Sequence, residues 1–179
     1  MILVISGSPR TISKTRGLAK YIINNLQGKS EEVEFFDISK EQIPMFTGDS
    51  NQNTDVKVNR LKKLAEKADG FVICTPEYHN GMSGGLKNAL DFLSNDQFSN
   101  KPVSILCTAG AGKGGINALN NLRLVIRGLH GLVLPQQHIS DSFCFDDHQN
   151  LIDEESKTII DKMMDDFVSQ ISCKSCCSH

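Results

Sequence analysis

The chain lacks tryptophan, lacks an excess of either charge, and lacks any apolar run long enough to cross a bilayer. Its 19 lysines and arginines against 21 aspartates and glutamates leave a net charge of −2, which offers no basic footprint for nucleic acid. The longest apolar runs, such as ILVIS from residue 2, fall far below the ~20 residues of a membrane-spanning helix. No basic segment precedes that first run, so no signal peptide is read and a cytoplasmic protein is expected. Linkers, repeats and low-complexity blocks are missing too. What remains is a globular chain of 179 residues, 39% hydrophobic and 22% charged, enough for one domain with a sizeable core.

Six cysteines are present. Cys74 and Cys107 sit inside apolar runs and read as small buried hydrophobes. Cys144 lies in a mixed loop. Cys173, Cys176 and Cys177 crowd a polar end, CKSCCSH. Even with His179 this makes a cramped ligand set with no second knuckle, so no metal site is assigned. The bland reading is a reduced, flexible tail over 173–179, after a domain spanning 1–172.

Short apolar runs alternate with helical patterns. Strands are expected at Ile2–Ser6, Val33–Ile38, Gly70–Thr75, Pro102–Cys107 and Leu132–Leu134. Helices are expected at Ser13–Leu26, Val56–Ala68, Ser83–Leu93, Ile116–Leu129 and Glu154–Ile171, from apolar residues recurring every three or four positions. Continuous apolar strands alternating with amphipathic helices mean a parallel sheet covered on both faces. The economical arrangement is an α/β, flavodoxin-like three-layer sandwich with a five-stranded parallel sheet in the order 2-1-3-4-5. Ligands in such sheets bind at the carboxyl ends of the strands, which singles out the loops after strands one, three and four.

The first loop, GSPRTISKT from Gly7 to Thr15, offers the hydroxyls of Ser8, Thr11, Ser13 and Thr15 and the guanidinium of Arg10. A helix N-terminus with hydroxyl donors and a cation suits a terminal phosphate; the alternative is a capped helix with a surface arginine. The second loop, PEYHNGMSGG from Pro76, sets Tyr78, His79 and Asn80 beside glycines that let backbone approach a flat ligand. Pro76 is expected to end its strand, since it has no ladder donor. The same stretch contains Gly81-Met82-Ser83-Gly84-Gly85, a G-x-S-x-G match, with Asp141, Asp146, Asp147 and His148 downstream in hydrolase order. Against a serine nucleophile at Ser83, residues 76–82 separate it from the strand. The third loop, TAGAGKGG from Thr108 to Gly115, formally matches a dinucleotide fingerprint. It sits in the fourth unit, however, and lacks the later acid. It reads as a close-approach loop against a ligand held by the other two.

Taken together, GSPRTISKT, PEYHNGMSGGLKNALD and GAGKGGINALNNLRLVIRG resemble the NADPH-dependent FMN reductase family, in its azobenzene, quinone and chromate reductase branch. The likeness runs to about Pro135. It implies an enzyme with non-covalent FMN and with NADPH or NADH as electron donor. It puts the FMN phosphate on Ser8, Arg10, Ser13 and Thr15, with Lys14 in the same loop. Pro76, Glu77, Tyr78, His79, Asn80 and Gly81 would line the flavin ring, largely through backbone. Thr108, Ala109, Gly110, Ala111 and Gly112 would border its other side. No catalytic acid or base and no metal are implied. The acceptors implied are small molecules (azo compounds, quinones or free flavins), reduced by a ping-pong mechanism, and the chain is expected to form a homodimer or homotetramer. A flavodoxin-type electron carrier is the alternative within flavoproteins. Such carriers are usually acidic and sandwich the ring between aromatics, whereas this chain is near neutral with no tryptophan and only Tyr21 and Tyr78.

Overall fold

The computed structural model describes residues 1–110 and 114–177, with side chains to Cys173. Its strands are β1 (Ile2–Ser6), β2 (Val33–Asp37), β3 (Gly70–Tyr78), β4 (Gly81–Met82), β5 (Pro102–Ala109) and β6 (Leu132–Asp141). Its helices are α1 (Lys14–Gly28), α2 (Ile38–Glu41), α3 (Val56–Lys67), α4 (Gly84–Asp91), α5 (Asn95–Phe98), α6 (Ile116–Gly128) and α7 (Glu154–Cys177). The long strands run parallel in the order β2-β1-β3-β5-β6. This is the expected order, with each long strand in its expected place. The correction is β4, a sixth strand: two residues pairing antiparallel to the end of β3. A segment that short leaves no periodic trace in the sequence.

Alternation along the strands divides the core in two. Leu3 and Ile5 of β1 face α3, α4 and α6, packing with Leu61, Leu86, Leu119 and Ile126. Ile2 and Val4 face the other way, onto Leu18 and Ile22 of α1 and Ile160, Met164 and Phe167 of α7. Both sets are fully buried or nearly so, which is why β1 reads as one apolar run. In α6, Leu119, Leu122 and Ile126 lie in the core, and Val125 and Leu129 pack against it.

Two prolines mislead a sequence reading of the sheet. β3 does not stop at Pro76 but continues to Tyr78. Gly7 N donates to Cys74 O at 2.7 Å, so Cys74 turns its backbone groups toward β1. Alternation turns Pro76 the same way, beyond Ser6, where β1 has ended. Its missing N–H therefore removes no ladder bond. β6 is longer than Leu132–Leu134 for a related reason. The strand lies at the sheet's edge and jumps register, pairing Val133 with Val103 and then Gln137 with Ile105. Pro135 sits inside that bulge, one of the few places a sheet accepts proline.

Among the described residues, no helix is long and apolar enough to cross a membrane. α7 extends past residue 172 into the segment expected as a tail. Cys173 is exposed and free; Cys176 and Cys177 lie beyond the described side chains and His179 beyond the described residues.

Candidate active site

The first loop is shaped by its caps. Ser13 is the N-cap of α1, its extended backbone (φ −152°) letting the hydroxyl accept from Arg16 N at 3.3 Å. Ser8 is buried and its Oγ accepts from Arg10 N at 3.3 Å. Thr15, buried in the first turn of α1, shares a 2.5 Å hydrogen bond with Thr108 at the end of β5. That bond ties the first loop to the third. The α1 N-terminus adds unpaired N–H groups and the positive end of its dipole.

In the second loop, β3 and β4 form a hairpin with the register Tyr78↔Gly81 and Glu77↔Met82. Its turn residues, His79 (φ 49°) and Asn80 (φ 64°), are both left-handed, the conformation of a two-residue type I′ turn. The hairpin places the Tyr78 ring under the Arg10 guanidinium, 5.3 Å from carbon to centroid. The Glu77 carboxylate turns to the third loop and accepts from Gly115 N, an anion at the start of α6. Gly115 itself has φ +100°, and a Cβ there would come within 2.7 Å of Ile139. Beneath the third loop, burial and the Glu77 and Asp141 carboxylates push the Cys107 thiol up to about 12, so it stays a neutral thiol.

These loops enclose a cleft of about 450 Å³ lined by Ser8, Arg10, Ser13, Lys14 and Thr15 from the first loop, Pro76, Glu77 and Tyr78 from the second, and Thr108, Ala109 and Gly110 from the third. His79, Asn80 and Gly81 do not line it: the turn carries the first two side chains out to solvent, where Asn80 accepts from the Asn117 amide at 3.2 Å. Ala111 and Gly112 lie outside the described residues. Sequence reasoning missed Ile12, Ser142 and Gln149, which complete the lining. Ser142 and Gln149 arrive from beyond β6, a stretch whose acids and His148 suggested only hydrolase partners. It also missed Arg16, whose guanidinium bridges the first loop and Asp37 (Nε to Oδ2, 2.6 Å).

Ser83 is no nucleophile. It is fully buried, donates to Gly7 O and accepts from Leu86 N at 3.0 Å as the cap of α4. Both sides of its hydroxyl are occupied, and the hydrolase reading falls.

Residues 1–146 match the family described as NADPH-dependent FMN reductase. The chain belongs to that family. An NADPH azoreductase from Bacillus sp. (strain OY1-2) is 40% identical over 171 residues, which is 96% of this chain and 92% of that one. The FMN-dependent NADPH-azoreductase of Staphylococcus saprophyticus is 38% identical over 139 residues, 75% of this chain and 73% of the relative. Among solved structures, FerB, a flavoenzyme NAD(P)H:(acceptor) oxidoreductase from Paracoccus denitrificans, superposes with a TM-score of 0.77 over 96% of both chains at 22% identity. Flavodoxin 2 from Bacillus cereus superposes at 0.66 over 94% of this chain and 98% of its own, at 15% identity. Those two likenesses speak to the fold, which is flavodoxin-like.

Family membership makes the chain an oxidoreductase that works with FMN and NADPH, and the cleft fits FMN on its own terms. Its volume suits a cofactor-sized ligand. One end gathers hydroxyls, a helix N-terminus and two cations, Arg10 and Lys14, neither ion-paired among the described residues. The second loop brings a tyrosine, Tyr78, whose buried hydroxyl finds no protein partner among the described residues. A buried hydroxyl without a partner is costly, and a polar ligand beside Tyr78 would relieve it.

Proposed function

We propose that the chain is an FMN-dependent NADPH azoreductase that also reduces quinones or free flavins. The observation that carries this reading is the junction, in one cleft, of a cationic hydroxyl-rich helix N-terminus with an aromatic and apolar wall. Ser8, Arg10, Ser13, Lys14 and Thr15 would hold the phosphate; Pro76, Glu77, Tyr78, Thr108, Ala109 and Gly110 would flank the ring. When bound, FMN supplies the redox chemistry between NADPH and the acceptor. The chain's own residues bind, orient and exclude water. Arg10 neutralises phosphate charge from above Tyr78, and the Thr15–Thr108 bond holds the first loop against the third. No side chain is assigned as acid or base.

Donor and acceptor are proposed to use the same open cleft in turn, which favours ping-pong kinetics. We further propose a homodimer or homotetramer. Leu119, Leu122 and Ile126 are taken up by the chain's own core, but Ile116, Leu124 and Leu132, on and beside α6, are exposed; sedimentation of a 19.7 kDa species alone would refute it.

The deciding experiment is a visible spectrum of the purified protein, followed by NADPH and then an azo dye. The expected result is a yellow protein that bleaches with NADPH and decolorises the dye. A colourless protein that ignores added FMN would sink the reading. A yellow protein inert to NADPH would make it a carrier of the flavodoxin type.

A further inference from the structure

We infer that Arg16, which does not line the cofactor cleft, sets the preference of this chain for a phosphorylated flavin over an unphosphorylated one. The inference rests on the FMN reading above and adds a positioning residue to it. The Arg16 guanidinium lies behind the first loop, between that loop and the end of β2. Its Nε donates to Asp37 Oδ2 at 2.6 Å and its Nη2 to Asp37 Oδ1 at 3.4 Å. The same Nη2 donates to Arg10 O at 2.9 Å and to Ser39 Oγ, and Nη1 donates to Thr11 O. One planar cation thus bridges a carboxylate, a hydroxyl and two consecutive loop carbonyls, a pattern suited to a rigid fork of donors and not to a lysine.

The anchor is itself fixed. Asp37 is the N-cap of α2, and its Oδ1 accepts from Ser39 N at 3.2 Å and Ser39 Oγ at 3.0 Å. Sheet register sets it beside Ser6, the last residue of β1, where the first loop begins. The two side chains are 13% and 7% exposed, so the pair is held by its surroundings and is neutral as a unit. Its influence on a bound anion is therefore mostly geometric.

That geometry matters because a phosphate only accepts hydrogen bonds. Carbonyl oxygens facing it would repel it. Arg16 draws the carbonyls of Arg10 and Thr11 to itself. Because C=O and N–H point oppositely across a trans peptide, it also turns the N–H groups of Thr11 and Ile12 away from itself. The loop can then meet an anion with donors. Arg16 donates no hydrogen bond to Pro76, Glu77 or Tyr78; it touches the second loop only through Arg10, whose guanidinium lies over Tyr78. A riboflavin, which has the ring but no phosphate, should sense its loss far less than FMN does.

The test is titration of flavin-free protein with FMN and with riboflavin, read by quenching of flavin fluorescence. Wild-type protein, Arg16→Lys, Arg16→Ala and Asp37→Asn are compared, with circular dichroism as a check of folding. Wild-type protein should prefer FMN by at least tenfold. The variants should lose FMN affinity at least tenfold and keep riboflavin affinity within about threefold, and lysine should not rescue. Should Arg16→Ala not fold, Arg16→Lys and Asp37→Asn carry the comparison. Unchanged FMN affinity in the variants, or equal losses of both flavins, overturns the inference alone. A wild-type protein that binds neither flavin overturns the functional reading and the inference with it.

Discussion

The first and second loops face the same cleft but are shaped by different means. The first is held by side chains: Ser8 and Ser13 hydroxyls on backbone N–H groups, Thr15 on Thr108, and Arg16 on two carbonyls. The second takes its shape from backbone, two ladder pairs and a turn with both residues left-handed, while its Glu77 and Asn80 side chains tie it to the start of α6. A phosphate needs donors and charge at defined points, and side chains deliver them. A flat ring needs a close, even wall, and a hairpin delivers that. Substitutions should therefore act strongly at the phosphate end, whereas the ring end should respond mainly to changes of backbone conformation.

The largest effect is expected for Arg10→Ala. Loss of a charge-assisted contact should weaken FMN binding by about 1.5–3 kcal/mol, measured by fluorescence titration. An unchanged affinity would remove Arg10 from the phosphate end and erase the contrast. Gly115→Ala should follow, acting through the backbone where the third loop enters α6. At φ +100°, with Ile139 in the way, alanine is strained, and the melting curve should show a loss of about 1–3 kcal/mol. Wild-type stability there would mean that the third loop has slack.

Ser83→Ala should cost about 1 kcal/mol of stability, the usual value of a helix cap, with the flavin retained. Loss of flavin would show that the hydroxyl shapes the cleft through Gly7 O. The smallest effect is expected for His79→Ala. Its side chain points to solvent, so stability should stay within about 0.5 kcal/mol and FMN affinity within about twofold. A tenfold loss would mean that the second loop also binds by side chain.

Much of the frame is readable in the chain because its signals are local. Ser13 and Ser83 announce the starts of α1 and α4, and both cap as serines before apolar stripes should. ILVIS reads as a buried strand because helices cover both its faces. The failures are places where the answer depends on distant partners. Whether proline ends a strand depends on what lies opposite its missing donor, and Pro76 and Pro135 each face no ladder partner that needs one. Arg16 looks like any arginine in a helix, because Asp37 and Ser39 meet it only after β2 has docked beside β1. Ser142 and Gln149 reach the cleft because β6 runs on to Asp141, and that extension is hidden behind the proline.

The displaced register of β6 also bears on how molecules meet one another. An open sheet ends in a row of unsatisfied amide and carbonyl groups, a template on which a strand from another molecule can grow. A straight β6 would offer such a row along its outer side from Leu132 to Asp141. Instead, the shift between Val133 and Gln137 breaks the row into two short, misaligned pieces, and Pro135 deletes one donor between them. A foreign strand cannot follow both pieces at once. The β6 edge is thereby a poor template for a strand from another copy of this protein.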